Sequence, residues 1–90
     1  MGDELRQIIR ATQLSHRQFA LQLGYSPSTI NGWTTGRFLP KVHSLWNIAT
    51  LYARSQSNDL KQLERFRRTI YNKLLLIRSD EKRKKHIANH

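Results

Sequence analysis

Apolar side chains recur every three to four positions along most of the chain, which is the spacing of one face of an α-helix. In the first half, this pattern predicts four helices, at about residues 3–13, 16–22, 27–34 and 42–54. Strand-type alternation is absent, and proline occurs only at positions 27 and 40. We therefore expect an all-α fold. The side chains that we expect helix four to bury are Val42, Leu45, Trp46, Ile48, Ala49 and Tyr52.

Local signals mark the ends of the second and third helices. Ser15 precedes Gln18 by three residues, as in a capping box, and Gly24 suits the left-handed turn that ends a helix. Ser26 followed by Pro27 is typical of a helix start. Two short helices joined by a tight glycine-containing turn form a helix-turn-helix unit, whose second helix enters the major groove of DNA.

A fifth helix follows the polar segment 55–59, in which Asn58 or Asp59 is placed to cap it. Its apolar residues fall in one broad stripe and predict more than five turns; they are Leu60, Leu63, Phe66, Ile70, Leu74 and Ile77. Leu75 and Leu76 lie outside that stripe, so we expect part of this helix to contact a second copy of the chain. The alternative is that the helix folds back entirely on its own core. The predicted dimer contacts are Ile70, Leu74, Leu75, Leu76 and Ile77.

The net charge of the chain indicates an anionic partner. Sixteen Lys and Arg against six Asp and Glu give a net charge of +10, of which residues 58–90 carry +6. This excess favours nucleic acid as the partner, ahead of an anionic membrane or a merely solvated basic surface. The run Lys82–Lys85 either contacts phosphates or is solvated. We divide the chain into a DNA-binding domain at 1–56, an amphipathic dimerisation helix at 57–78 and a flexible basic tail at 79–90.

Other chemistries find no support in the residues. The absence of cysteine excludes disulfides and thiolate metal sites, and no apolar run approaches the roughly 20 residues that span a bilayer. There is no glycine-rich phosphate loop or catalytic triad that we can place in a pocket, so we expect no enzyme and no cofactor. His86 and His90 could share a helix face, but we expect no metal site there. With no signal-peptide core either, the expected location is the cytoplasm.

The segment Leu14–Tyr52 resembles the Cro and lambda-repressor type of helix-turn-helix domain, also called the Xre family. The resemblance covers roughly 50 of the 90 residues, counting the first helix. It implies a transcriptional regulator, more specifically a repressor of a phage or other mobile-element promoter, that binds a palindromic duplex-DNA operator as a homodimer. The positions that match the family pattern are Leu14, Ser15, Ala20, Leu23, Gly24, Ser26, Ile30, Trp33, Gly36 and Pro40.

The same resemblance assigns the base-reading face of helix three to Pro27, Ser28, Thr29 and Gly32. Asn31 could also reach an adenine from a suitably rotated helix. Members of the family often carry Gln, Arg or Asn where this chain has Pro27, Ser28 and Gly32, so those bidentate contacts are not available here. We expect reading to rest on Ser and Thr contacts, thymine methyl groups and DNA shape.

Phosphate contacts are expected on either side of that face. The resemblance assigns them to Arg37 and Lys41 after helix three and to His16 at the start of helix two, a position that in the family contacts phosphate or the adjoining base pair. Spacing alone adds Arg17. Two other functions stay open. One is a protein-interaction module, such as an antitoxin or bridging coactivator, whose last helix binds a different protein. The other is non-specific coating of nucleic acid by the basic tail.

Overall fold

The computed structural model describes the backbone of residues 1–88 and the side chains of residues 1–84. It contains five helices and, among these residues, no strand. The all-α prediction is confirmed, and the first four helices lie within two residues of their predicted bounds. The helices are α1 Gly2–Thr12, α2 His16–Leu23, α3 Pro27–Thr34, α4 Val42–Gln56 and α5 Leu60–Ala88.

The capping signals form the hydrogen bonds that the sequence predicts. The Ser15 hydroxyl accepts a bond from the Gln18 amide at 3.1 Å, and the Gln18 side chain accepts one from the Ser15 amide at 2.9 Å. Ser26 accepts from the Thr29 amide at 3.2 Å, with Pro27 as the first residue of α3. These bonds satisfy amides that have no partner inside the helix, which sets the start of α2 and α3.

The tight turn between α2 and α3 depends on Gly24. Its φ is +79°, a left-handed conformation in which a Cβ is strained. The amide of Gly24 donates to the carbonyl of Leu21 at 3.2 Å, and that of Tyr25 donates to the carbonyl of Ala20 at 2.9 Å. This pair of bonds is the Schellman motif, and it turns the chain directly from α2 into α3.

A single apolar core lies among the helices, with α4 packed against α1, α2 and α5. The helices α1 and α3 also pack against each other, as do α2 and α3. The buried apolar residues of this core are Met1, Leu5, Ile8, Ile9, Phe19, Ala20, Ile30, Trp33, Leu45, Ile48 and Leu74.

The last helix belongs to this core. It begins at a cap formed by Asp59, whose carboxylate accepts from the Lys61 amide at 3.1 Å. Further along, Leu74 is fully buried (0% exposed), and Arg78 Nε donates to the Pro40 carbonyl at 2.7 Å. Leu74 is therefore not an interface residue as predicted, because its side chain is already enclosed in this chain's own core.

Near the end of α5, Glu81 forms an ion pair with the N-terminal amine of Met1. Glu4 lies 3.1 Å from the same amine. Desolvation lowers the pKa of the amine, but hydrogen bonds and charge from Glu81 and Glu4 outweigh it, and the pKa is raised above its ordinary value of 8.0. The hydrogen bond from the amine lowers the pKa of Glu4 below 4.5. These charges tie the end of α5 to the start of α1.

Two further expectations are corrected. The helix α5 does not end near residue 78 but continues to Ala88, and residues 89–90 of the predicted tail lie outside the described residues. Val42 and Trp46, expected in the core, are 42% and 40% exposed. Trp46 lies at the α4–α5 boundary, where the Tyr71 ring meets it edge-on at 5.0 Å and the Arg67 guanidinium lies 4.5 Å from its ring centre.

Candidate nucleic-acid interface

The third helix is held in place by its buried face and by the turn before it. Ile30 and Trp33 are buried in the core together with Phe19 of α2. The Tyr25 ring meets Trp33 edge-on at 5.0 Å, and its hydroxyl lies 2.5 Å from the buried Ser44 hydroxyl of α4. The helix-turn-helix unit is thereby fixed to α4, which gives α3 a defined orientation.

The first helix holds the other end of α3. The Arg6 guanidinium donates to the Thr34 carbonyl in the last turn of α3, and it also pairs with Asp3. A positive charge at a helix C-terminus complements the helix dipole and satisfies a carbonyl that has no partner within the helix. Both ends of α3 are therefore anchored before any ligand binds.

Between these anchors, the outer face of α3 is small, polar and uncharged. Pro27, Ser28 and Asn31 are exposed. Thr29 is half-buried, and its hydroxyl lies 3.0 Å from that of Ser26. A hydroxyl can donate one hydrogen bond and accept two, so Thr29 keeps capacity for another partner. The sequence predicts these four residues as base readers, and the structure places them together at the start of α3.

Gly32 departs from the prediction. It is buried rather than exposed, because the ring of Phe38 folds back over it from the loop after α3. A Cβ added to Gly32 would overlap ring atoms Cε1 and Cζ of Phe38 and lie 3.1 Å from Cδ1. The sequence analysis missed Phe38; the available signal was an aromatic residue in a loop, outside every apolar helical stripe.

Basic side chains precede and follow α3 along the chain. His16 and Arg17 begin α2 and are exposed, and Arg37 and Lys41 are exposed in the loop between α3 and α4. Within residues 1–84, none of these four forms an ion pair with a carboxylate. The first turns of α2 and α3 also contain no acidic residue. The cationic side chains of Arg17, Arg37 and Lys41 are therefore open to an anionic ligand, and the His16 imidazole can donate a hydrogen bond to one.

The basic run at the end of α5 is only partly described. Lys82, Arg83 and Lys84 are exposed, and Lys84 pairs with Asp80 at 3.3 Å. The side chain of Lys85 lies outside the described residues, as do those of His86 and His90. The part of the chain that the structure describes contains no group of three or more potential metal ligands of the His, Cys, Asp or Glu type. None of its helices is both long enough and apolar enough to cross a bilayer.

Comparison with known families agrees with this arrangement. The family model described as helix-turn-helix matches residues 5–55, which is more than half of the chain and includes α2, α3 and most of α1 and α4. No curated protein and no solved structure matches the chain significantly. The matched segment contains the braced α3, its small polar face and the basic residues that precede and follow it in the chain. The chain therefore belongs to the helix-turn-helix family of the Cro and lambda-repressor type, whose members are DNA-binding transcription regulators.

Proposed function

We propose that this chain binds specific duplex-DNA sites by placing α3 in the major groove. The observation that carries the proposal is the outer face of α3. It presents Ser28, Thr29 and Asn31, three short hydrogen-bonding side chains, on a helix fixed at both ends. Such side chains can reach base edges, and Pro27 at the start of the helix can contact an apolar group such as a thymine methyl.

We assign the phosphate contacts to His16, Arg17, Arg37 and Lys41. They lie at the start of α2 and in the loop after α3, on either side of the reading helix along the chain. Each cation that neutralises a phosphate steepens the dependence of log affinity on log salt by about 0.9. These contacts fix the position of the protein on the duplex, and sequence discrimination comes from α3.

We further propose that the regulator acts as a homodimer through α5. Leu76 is 73% exposed, and Ile70, Leu75 and Ile77 are half-buried, so apolar surface remains for a partner although Leu74 is enclosed. A two-fold dimer of this class places its reading helices about 34 Å apart and favours a palindromic site with half-sites about 10 bp apart. Repression of a phage or mobile-element promoter, in the bacterial cytosol or nucleoid, is proposed by analogy with other small regulators of this fold.

The test is selection of bound sequences from a random duplex pool at fixed, near-physiological salt. We expect wild type to select a palindromic motif, and Ser28→Ala/Thr29→Ala to relax it at the bases those side chains read. Thr69→Ala/Ser79→Ala is the matched control, because it removes the same two hydroxyl types from exposed positions of α5. The control should select the wild-type motif.

Two results would contradict the proposal. If the Ser28→Ala/Thr29→Ala variant folds and selects the wild-type motif unchanged, α3 does not read the bases through these residues. If wild type selects no motif and stays monomeric, the exposed Leu76 surface favours the alternative function, in which α5 binds a different protein as antitoxins and bridging coactivators do.

A further inference from the structure

The loop between α3 and α4 is fixed against the end of α3. The amide of Arg37 donates to the Gly32 carbonyl at 2.9 Å, and that of Gly36 donates to the Trp33 carbonyl at 3.3 Å. Gly36 has a φ of +77°, which completes a Schellman motif. The amide of Phe38 also lies 3.4 Å from the Gly32 carbonyl. These bonds hold the Phe38 backbone beside α3 and direct its ring over Gly32.

The ring occupies the space of a side chain at position 32. Any residue larger than glycine there would collide with Phe38, so the two residues form a matched pair. The family resemblance places a base-reading side chain at position 32, and glycine offers none. In this chain, the group that lies at that place on α3 is the Phe38 ring.

Phe38 is only partly buried in the folded chain. The residue is 42% exposed, and it lines an open cleft of about 250 Å³ together with Thr29, Trp33 and Lys41. Thr29 is a proposed base reader, and Arg37 and Lys41 are proposed phosphate contacts in the same loop as Phe38. An exposed aromatic ring therefore lies next to a reading residue, in a loop whose cations attract the DNA backbone.

We propose that Phe38 is a specificity-determining residue that recognises a T·A base pair through the thymine C5-methyl group. In the major groove, the methyl group is the apolar feature that distinguishes thymine, and a phenyl ring can contact it. The ring takes over the reading position that Gly32 vacates. This inference rests on the proposed function, because it requires α3 to lie in the major groove.

The experiment uses the operator obtained by selection with the full chain. Thymines are replaced by uracil one at a time, which removes only the C5-methyl group, and binding is measured at fixed salt. At one position per half-site, wild type should lose about fourfold in affinity, the factor that corresponds to burying one methyl group. Phe38→Ala should bind the thymine and uracil operators equally at that position.

Phe66→Ala is the matched control, because it removes the same ring type with similar exposure from α5. It should keep the wild-type response to uracil. Gly32→Ala is a second variant that displaces the ring without removing it, and it should weaken the response at the same position only. Folding of each variant is checked by thermal unfolding. If Phe38→Ala does not fold, the response of Gly32→Ala to uracil tests the methyl contact instead.

The outcomes separate the inference from the function on which it rests. If wild type selects a motif but responds to uracil nowhere, or if Phe38→Ala or Gly32→Ala responds as wild type does, the methyl contact is refuted while DNA reading by α3 stands. If Phe38→Ala loses affinity equally for both operators and keeps the discrimination, the ring only supports the loop, and the inference fails. If wild type selects no motif, the proposed function fails and the inference with it.

Discussion

Leu74→Ala tests whether α5 is part of the folded core. Leu74 is fully buried in the apolar core, so truncation removes apolar contacts and leaves a cavity. Substitutions of this type cost roughly 2–5 kcal/mol. A chain of this length has a total free energy of unfolding of roughly 5–13 kcal/mol. We therefore expect Leu74→Ala to lose a large fraction of its stability.

Leu76→Ala is the matched control, because it makes the same change two residues further along the same helix. Its helix-propensity effect is the same, but Leu76 is 73% exposed, and surface substitutions usually change stability by no more than about 0.5 kcal/mol. In a domain of this size, each kcal/mol corresponds to about 4–8 °C in Tm. Leu74→Ala should melt at least about 8 °C below wild type, and Leu76→Ala within about 4 °C of it at low concentration.

The assay is thermal and urea unfolding followed by circular dichroism over a range of protein concentrations. Concentration dependence reports association, because a partner that binds only the folded state stabilises it. We expect Leu76→Ala to reduce that dependence and Leu74→Ala to lower stability at every concentration. Equal stability of the two variants, or a Leu74→Ala effect confined to high concentration, would show that Leu74 belongs to an interface instead of the core.

The remaining predictions concern helix capping and pH. Ser15→Ala should lower the free energy of unfolding by about 1 kcal/mol through loss of the α2 capping box, measured by urea unfolding; an unchanged midpoint would contradict this. Because the pKa of the Met1 amine is raised, its contribution is complete below about pH 8.0 and is lost as pH rises through the higher folded-state pKa. Because the pKa of Glu4 is lowered, its contribution is present above about pH 4.5 and is lost as pH falls through the lower folded-state value. Glu81→Gln should reduce the alkaline loss of stability between pH 7 and 10, and the same alkaline loss in the variant and wild type would refute the assignment.

Local signals in the sequence were sufficient for the first four helices and for the caps of α2 and α3. Ser15, Ser26 and Gly24 act on backbone groups only a few positions away, so their effect can be predicted without knowledge of the fold. The positions of Gly32 and Trp46 could not be predicted in this way. Gly32 is buried by a ring from a loop six positions later, and Trp46 is exposed because α5 covers only part of α4.

For the fifth helix too, the sequence predicts the helix but not which of its residues are buried. Its apolar periodicity predicts a helix but does not say which members of the stripe meet the core. Leu74 is enclosed, whereas Leu60 in the same stripe is largely exposed, because α5 packs against the rest of the chain only along part of its length. Most of the base readers and phosphate contacts were predicted from a family resemblance, Asn31 and Arg17 were added from helix geometry and spacing, and the roles of all of them in DNA binding stay predictions.

The attachment of α5 has a consequence for the order in which the chain folds. The bond from Arg78 to the Pro40 carbonyl joins positions 38 apart, and the pair of Met1 and Glu81 joins positions 80 apart. Such distant contacts close large loops and form late, after local helices. Because synthesis runs from the N-terminus, a growing chain can form its helix-turn-helix before Arg78 exists to bond to the Pro40 carbonyl. The docking of α5 is therefore expected to be a late step of folding, which follows the formation of the helix-turn-helix.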